Sequence, residues 1–273
     1  MPCSGTKNFD RPDRYQANFP DAKLELHFTG QGSFKARLTQ VELQHIRLLK
    51  AQENLPRIAY LSLEPERIHV AFSLNAIFHP VWTGLALQSR DIVFHSRGGC
   101  THDRTSTANC WGYISITQHR LMDLGRSVTG AEIVVPQVGC VLRPPSKAAT
   151  RLRRLHGTAC RLAETRPEML AHEEVARSLE NELLHALVNC LDVKRTRENI
   201  EARRRRVEVM AKFERALAIT ENLGVPELCE FIGVPERTFR TYCAEFIGMS
   251  PNAYLQLRQP RHRSREAANF LPG

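Results

Sequence analysis

The chain has 273 residues, of which 42% are hydrophobic and 25% charged, and this is enough to form two domains that each bury a core. No apolar run is long enough to cross a bilayer and the polar N-terminus lacks a signal-peptide pattern, so we expect no membrane association and a cytoplasmic location. The formal net charge is +9, with 15 basic and 12 acidic residues in 1–142 but 23 and 17 in 143–273. The basic excess in the second half favours a phosphate-bearing partner there.

The eight cysteines are scattered, without a C-x-x-C motif or a histidine at zinc-ligand spacing. Reduced thiols are therefore expected, with a redox pair of Cys100 and Cys110 as the alternative. The histidines lack the H-x-H and following glutamate of a metal-binding β-barrel. Because no nucleophile–base pair or phosphate loop is found either, the sequence predicts no catalytic residue, no metal site and no cofactor.

Residues 1–22 are polar and contain three prolines, which predicts a segment that either lies on the surface or is poorly ordered. Residues 23–143 then show apolar residues at every second position, as in Leu24, Leu26 and Phe28. Other short strands are predicted at 34–38, 68–74, 81–87, 91–94, 111–117 and 133–142, and one or two helical turns at 119–125. Short strands at this spacing predict an antiparallel barrel or sandwich.

Two helices are predicted within residues 144–193. The first follows Pro144-Pro145, and the second starts at Pro167 and repeats an apolar residue every fourth position from Val175 to Leu191. This stripe suits either packing on the chain's own β-rich domain or the formation of a homodimer. Residues 194–206 follow, with seven basic and two acidic side chains. They form a basic linker or the exposed start of the next helix, and either could lie along phosphates or face solvent.

The segment from Val225 to Gln259 predicts two short helices around a glycine, packed on a preceding helix within 207–219. Pro226 suits the first turn of the first helix, and Gly233 supplies the left-handed backbone that ends it. The second helix is predicted from Pro235 to about Ile247. The residues predicted to form the turn and its core are Leu228, Cys229, Ile232, Gly233, Val234, Phe239 and Tyr242.

This pattern predicts a helix-turn-helix that enters the major groove of double-stranded DNA. Arginine is the side chain that binds guanine O6 and N7 with two hydrogen bonds, and the early turns of the second helix reach the bases. A solvated helical hairpin in an ordinary α domain is the alternative. The residues predicted to contact DNA are Glu236, Arg237, Thr238, Arg240, Thr241 and Arg258.

GVPERTFR at 233–240 and FIGMSPNAYLQLR at 246–258 resemble the first helix-turn-helix of the AraC/XylS family of bacterial transcription regulators. The resemblance covers 207–259 and implies that Arg237, Arg240 and Thr241 face DNA. Two residues depart from the family pattern: Thr241 replaces the second member of a usual Arg-Arg or Gln-Arg pair, and Cys243 replaces a packed phenylalanine.

WTGLAL, DIVFHSRGG and WGYISI, at 82–87, 91–99 and 111–116, resemble the sensor half of ethanolamine-operon regulators. This resemblance implies a cupin-like domain at 23–143 that binds an unknown small-molecule effector. Family members carry a second helix-turn-helix, but here Pro260 interrupts the helix that starts at Pro251. We therefore expect a truncated form with an irregular tail at 260–273, whether natural, frameshifted or cut.

Together these features predict an α+β chain: a cupin-like β-barrel or sandwich, a helical hairpin and an all-α helix-turn-helix subdomain. The predicted function is sequence-specific transcription regulation. The alternative is an inactivated, truncated form that does not bind DNA and acts as a helical interaction module.

Overall fold

The computed structural model describes residues 4–74, 80–191, 200–219 and 223–258. It is an α+β structure in which antiparallel sheets are followed by helices. The strands within these ranges are β1 (Gly5–Phe9), β2 (Ala22–Phe28), β3 (Ala36–Glu42), β4 (Ile46–Glu53), β5 (Arg57–Leu63), β6 (Arg67–Ser73), β7 (Val81–Trp82), β8 (Leu85–Ala86), β9 (Ile92–Phe94), β10 (Cys100–Arg104), β11 (Asn109–Thr117) and β12 (Cys140–Leu142). The helices are α1 (Pro12–Gln16), α2 (Gln118–Thr129), α3 (Ser146–Thr165), α4 (Pro167–Ala171), α5 (Glu173–Leu191), α6 (Ile200–Ile219), α7 (Val225–Ile232), α8 (Glu236–Phe246) and α9 (Pro251–Arg258).

The strands form two sheets, one in the order β1-β3-β4-β11-β6-β9-β12 and one in the order β2-β5-β10-β7-β8. Residues of both sheets share one buried cluster, with Leu24 and Leu61 from the smaller sheet and Leu38, Leu49 and Trp111 from the larger. Neither sheet closes on itself over the described ranges. The sandwich alternative of the prediction therefore fits the observed topology, whereas a closed barrel is not formed.

Of the two alternatives predicted for 1–22, the described residues 4–22 contain a strand and a helix rather than lacking order, while most of their side chains are exposed or half-buried. Strand β1 pairs antiparallel with β3 at the edge of the larger sheet. Tyr15 in α1 has no exposed surface, and its hydroxyl donates a hydrogen bond to Glu53 Oε1 at 2.7 Å. Tyr15 also packs against Phe9 and Phe19. These aromatic side chains cover the core, and their burial holds a segment whose neighbouring residues are polar.

The larger sheet is covered by α3 and α5. Leu152 of α3 and Leu183 and Leu187 of α5 are buried in the same cluster as Val70 and Ile114 of the sheet. Most of the apolar stripe on α5, from Leu179 to Leu191, therefore packs within the chain, and a homodimer through that stripe remains a prediction. Of the predicted basic linker, 194–199 lie outside the described residues, while 200–206 form the first turns of α6.

Two further elements differ from the sequence prediction. Only Cys140–Leu142 of the strand expected at 133–142 is β-structure, paired with β9. The one or two turns expected at 119–125 are part of the twelve-residue helix α2, which ends at Gly130 in a left-handed conformation. The expected irregular tail at 260–273 lies outside the described residues.

Candidate DNA interface and its attachment to the β sandwich

Helices α7 and α8 are joined by a tight turn at Gly233. This residue has φ 78° and ψ 40°, and its N–H donates to the Cys229 carbonyl at 2.9 Å. A Cβ at this position would meet nothing within 4 Å. The turn therefore requires glycine for its left-handed backbone rather than for lack of space.

The core beneath the turn is formed by α6, α7, α8 and α9. Phe213 of α6 lies against Phe239 of α8 with ring centroids 4.8 Å apart, and it also contacts Tyr254 of α9. Cys243 is fully buried, so a sulfur fills the place of a larger side chain. Of the residues predicted for the turn and core, Leu228, Cys229, Ile232, Val234 and Phe239 are buried, Tyr242 is half-buried and Gly233 lies at the surface.

The opposite side of α8 faces solvent. Glu236, Arg237, Arg240 and Thr241 are exposed and Thr238 is half-buried. Arg240 Nε donates to Glu236 Oε1 at 2.8 Å, in a pair whose side chains are 49% and 45% exposed. Exposed pairs of this spacing contribute about 0.3–0.5 kcal/mol. The guanidinium of Arg240 can therefore exchange this carboxylate for another acceptor at little cost.

Arg258, which was also predicted to contact DNA, does not lie on the solvent-exposed side of α8 but faces the β sandwich. Its Nη1 donates to Glu214 Oε2, its Nη2 donates to Glu25 Oε2 at 3.1 Å, and its side chain is 17% exposed. A contact with DNA would require Arg258 to give up these two partners, and it stays a prediction. In the structure, Arg258 joins the helical part of the chain to the β sandwich.

Glu214 is the centre of this junction. It is buried in α6 and accepts hydrogen bonds from His102 Nε2 of β10 at 2.7 Å and from the Tyr254 hydroxyl at 2.9 Å. Burial alone would raise the pKa of Glu214, but the hydrogen bond from His102 and the charge of Arg258 outweigh it and hold the pKa below its usual value. We refer to Glu25, His102, Glu214, Tyr254 and Arg258 as the Glu214 cluster.

A second contact joins α6 and α8 to the β7–β8 hairpin. The Arg203 guanidinium lies 4.7 Å from the centre of the Trp82 ring, and its Nη2 is 3.5 Å from Thr83 Oγ1. A Cβ on Gly84 would stand 3.6 Å from the Phe246 ring. Neither junction was predicted from the sequence, although one signal was present. Glu214 interrupts the apolar stripe of α6 between Met210 and Leu217, where a carboxylate requires a buried partner.

Other classes of site find no support in the part of the chain that the structure describes. There, no three histidine, cysteine or acidic side chains come together as metal ligands, and no helix is long and apolar enough to span a bilayer. Cys100 and Cys110 are both free thiols. No disulfide therefore joins these two residues.

Comparisons with known proteins give weak structural likenesses. No protein-family profile and no curated protein sequence matches the chain. The fold is similar to a crystal structure of the AraC-like transcriptional activator CuxR, at 14% identity over 94% of this chain and 93% of that one, with a TM-score of 0.47. It is also similar to ToxT from Vibrio cholerae, at 8% identity over 88% and 99%, with a TM-score of 0.28. A ToxT structure bound to (E)-4-(8-methylnaphthalen-1-yl)but-3-enoic acid matches at 9% identity over 87% and 99%, with a TM-score of 0.26.

Proposed function

We propose that the chain is a sequence-specific DNA-binding transcription regulator of the AraC/XylS type, which reads DNA through α8 and responds to a small molecule held by its β sandwich. The observation that carries the proposal is the exposed face of α8. Arg237, Arg240 and Thr241 share one side of a helix whose other side is buried against α6 and α7. This is the arrangement in which the second helix of the turn enters the major groove.

The charge around this face also suits DNA. Helix α6 carries exposed basic side chains that could contact phosphates, namely Arg204, Arg205, Lys212 and Arg215. Phosphate contacts fix the orientation of a protein on the duplex, and base contacts supply the sequence preference. Arg240 is the best candidate for a base contact because its guanidinium is held only by an exposed carboxylate of its own helix.

The test begins with selection of a preferred site from a pool of random duplexes. We expect Arg240→Ala to weaken binding to the selected site by about 1–3 kcal/mol and binding to random duplex far less. Arg151→Ala is the matched control, because Arg151 is 48% exposed and also forms a surface ion pair, with Glu182, but lies on α3. It should leave both affinities unchanged.

Filter binding at low and moderate salt completes the experiment, since phosphate-dominated binding weakens steeply as salt rises. Equal losses on selected and random duplex would show that Arg240 contacts phosphate rather than a base. No binding to any duplex at low salt would contradict the proposal and support the alternative, a helical module that interacts with another protein.

A homodimer would present two α8 helices to one DNA site and raise the affinity by linking two binding events. Sedimentation velocity of the full chain, with and without the selected duplex, measures this directly. We expect one duplex to carry two chains. A single chain per duplex would contradict dimeric binding.

A further inference from the structure

A cavity of about 40 Å³ lies between the two sheets and is lined by side chains of both. The polar side chains in its wall include Trp82, His95, Thr101 and Asp103. Trp82, His95 and Thr101 are each more than nine-tenths buried. We refer to this space as the sandwich cavity.

Each of these four side chains holds a buried polar atom that has no hydrogen-bond partner among the described residues. The atoms are Trp82 Nε1, His95 Nδ1, Thr101 Oγ1 and Asp103 Oδ1. Thr101 and Asp103 are two residues apart in β10 and so point to the same face of the sheet. Buried polar groups in native proteins are nearly always satisfied by a partner. The convergence of four such groups on one cavity therefore indicates a bound partner rather than a packing defect.

The chemistry of the wall defines that partner. Trp82 Nε1 is a donor only, and Thr101 can donate or accept. Burial lowers the pKa of His95 to about 3, so its ring is neutral at physiological pH and its Nδ1 either donates or accepts. The carboxylate of Asp103 is already bonded through Oδ2 to Arg57 Nη1 at 3.1 Å, and its Oδ1 can accept a further bond. No cationic side chain is among the described lining residues, so an anionic ligand would be buried without a counter-charge, and the Asp103 carboxylate that a cationic ligand would need is already paired with Arg57.

The size of the cavity sets a second limit. A buried water needs about 10–15 Å³ of such space, so the cavity holds a molecule of about three or four non-hydrogen atoms. The remaining wall includes residues Ala71, Trp111 and Tyr113 of the larger sheet. A flat, uncharged molecule with a donor beside an acceptor, such as a simple amide, fits both the volume and the polar atoms.

The same wall is in contact with the DNA-binding helices. The Trp82 ring lies edge-on to His95, with centroids 5.7 Å apart, and carries the Arg203 guanidinium over its face. A Cβ on Gly139 would stand only 3.1 Å from the Trp82 ring, so that side of the ring has no room to move. Trp82 therefore contacts, through Arg203, the helix α6 that also holds Phe213 and Glu214.

We propose that the sandwich cavity binds a small uncharged molecule that both donates and accepts hydrogen bonds, and that its occupancy is transmitted to α6 through Trp82 and Arg203. This inference rests on the proposed function, since it assigns the small-molecule response of the β sandwich to one cavity and one ligand class. An occupied cavity satisfies the four polar atoms and fixes the Trp82 ring. Ligand binding then shifts the equilibrium toward the relative position of the β7–β8 hairpin and α6 for which the cavity has the higher affinity.

Intrinsic fluorescence tests the site directly, because the chain has two tryptophans and both line the cavity. Acetamide is the probe and acetate is its charged counterpart of equal size. We expect a saturable fluorescence change with acetamide, half-complete at about 0.1–10 mM as suits so small a ligand, and none with acetate. Equal responses to both molecules, or no saturable response to acetamide, would overturn the proposal.

Two threonine variants separate binding from stability. Thr101→Val removes an unpartnered hydroxyl, so it should weaken acetamide binding at least about five-fold while the melting temperature stays equal or rises. Thr39→Val is the control, because buried Thr39 donates to Glu164 Oε1 at 2.9 Å. It should lower the melting temperature and leave acetamide binding unchanged. Unchanged acetamide binding in Thr101→Val would contradict the assignment of the site.

Hydrogen exchange of the full chain tests the transmission without DNA. Saturating acetamide should change the rate of amide hydrogen exchange in α6 but not in α2. In a separate binding measurement, it should alter the affinity for the selected duplex at least about two-fold. Binding without any change in α6 would overturn the transmission alone. A chain that never binds DNA would contradict the proposed function, while the fluorescence and exchange results would still decide this inference.

Discussion

Two pairs of opposite charges lie in the helices that follow the β sandwich, and their surroundings differ completely. Glu236 and Arg240 pair on the solvent side of α8, with side chains 45% and 49% exposed. Glu214 and Arg258 pair against the sheet, with side chains 1% and 17% exposed. Water screens the first pair, so its partners can be exchanged for those of a ligand. The second pair cannot open without leaving charges buried, and this fixes where the helices sit.

The largest effect should come from the buried pair. Glu214→Gln removes the charge that faces Arg258 and His102, and we expect a loss of about 3 kcal/mol in the free energy of unfolding. Urea denaturation of the full chain measures the loss. Glu208→Gln is the control, since Glu208 lies on the same helix and pairs with Arg204 at 2.8 Å in an exposed position. It should cost at most about 0.5 kcal/mol, and similar losses in the two variants would remove the distinction between the pairs.

The pH dependence of stability sharpens the same contrast. Because the pKa of Glu214 is lowered below its usual 4.5 in the folded chain, the carboxylate stabilises the fold above the unfolded-state pKa. That contribution is lost as the pH falls through the folded-state pKa. The difference in urea midpoint between the natural chain and Glu214→Gln should therefore be greatest above about pH 5 and shrink steadily below about pH 4. A difference that does not change with pH would show that the substitution acts through packing.

A smaller loss in the free energy of unfolding is expected from a substitution at the turn between α7 and α8. Gly233→Ala puts a side chain on a left-handed backbone and should cost about 1–2 kcal/mol. Gly5→Ala is the control, since an added Cβ there also meets nothing within 4 Å but the backbone has no positive φ. It should be neutral or slightly stabilising, and urea denaturation compares the two. Equal stability of both variants would mean that the turn relaxes without glycine.

The two pairs also show what the sequence could predict. Spacing around Gly233 was sufficient to place Arg240 on an exposed face of α8, because a helix with an apolar stripe has a defined outer side. Arg258 could not be placed in the same way, since its partners Glu214 and Glu25 lie 44 and 233 residues away in the chain. The period of apolar residues in the sequence predicts which side of a helix or strand is buried. Which other element packs against that side depends on tertiary structure.

The β sandwich shows the same division between local and long-range information. The alternating strand predicted at 68–74 corresponds to β6, but β4, β5 and β10 were not predicted. In β5, six of seven residues are buried, so the alternation of apolar and polar residues that marks a half-exposed strand is lost. The convergence of the four polar atoms on the sandwich cavity could not be predicted either, because residues in or next to β7, β9 and β10 come together only in the folded sheet.

The smallest change in stability is expected for the exposed pair, where a change in DNA binding is expected instead. Glu236→Gln should alter the free energy of unfolding by less than about 0.5 kcal/mol, as expected for a solvated pair. It also removes a negative charge from the face proposed to enter the major groove of the negatively charged duplex and weakens the pairing of Arg240. We therefore expect tighter binding to random duplex, by about two- to five-fold near 50 mM salt and less near 200 mM. Glu182→Gln, which breaks the exposed pair with Arg151, is the control and should change neither quantity.

Filter binding measures the affinities for random duplex and for the selected site, and the comparison of the two makes a further distinction. A loss on that site alone would show that Glu236 accepts a hydrogen bond from a cytosine amino group, so that the carboxylate itself reads sequence.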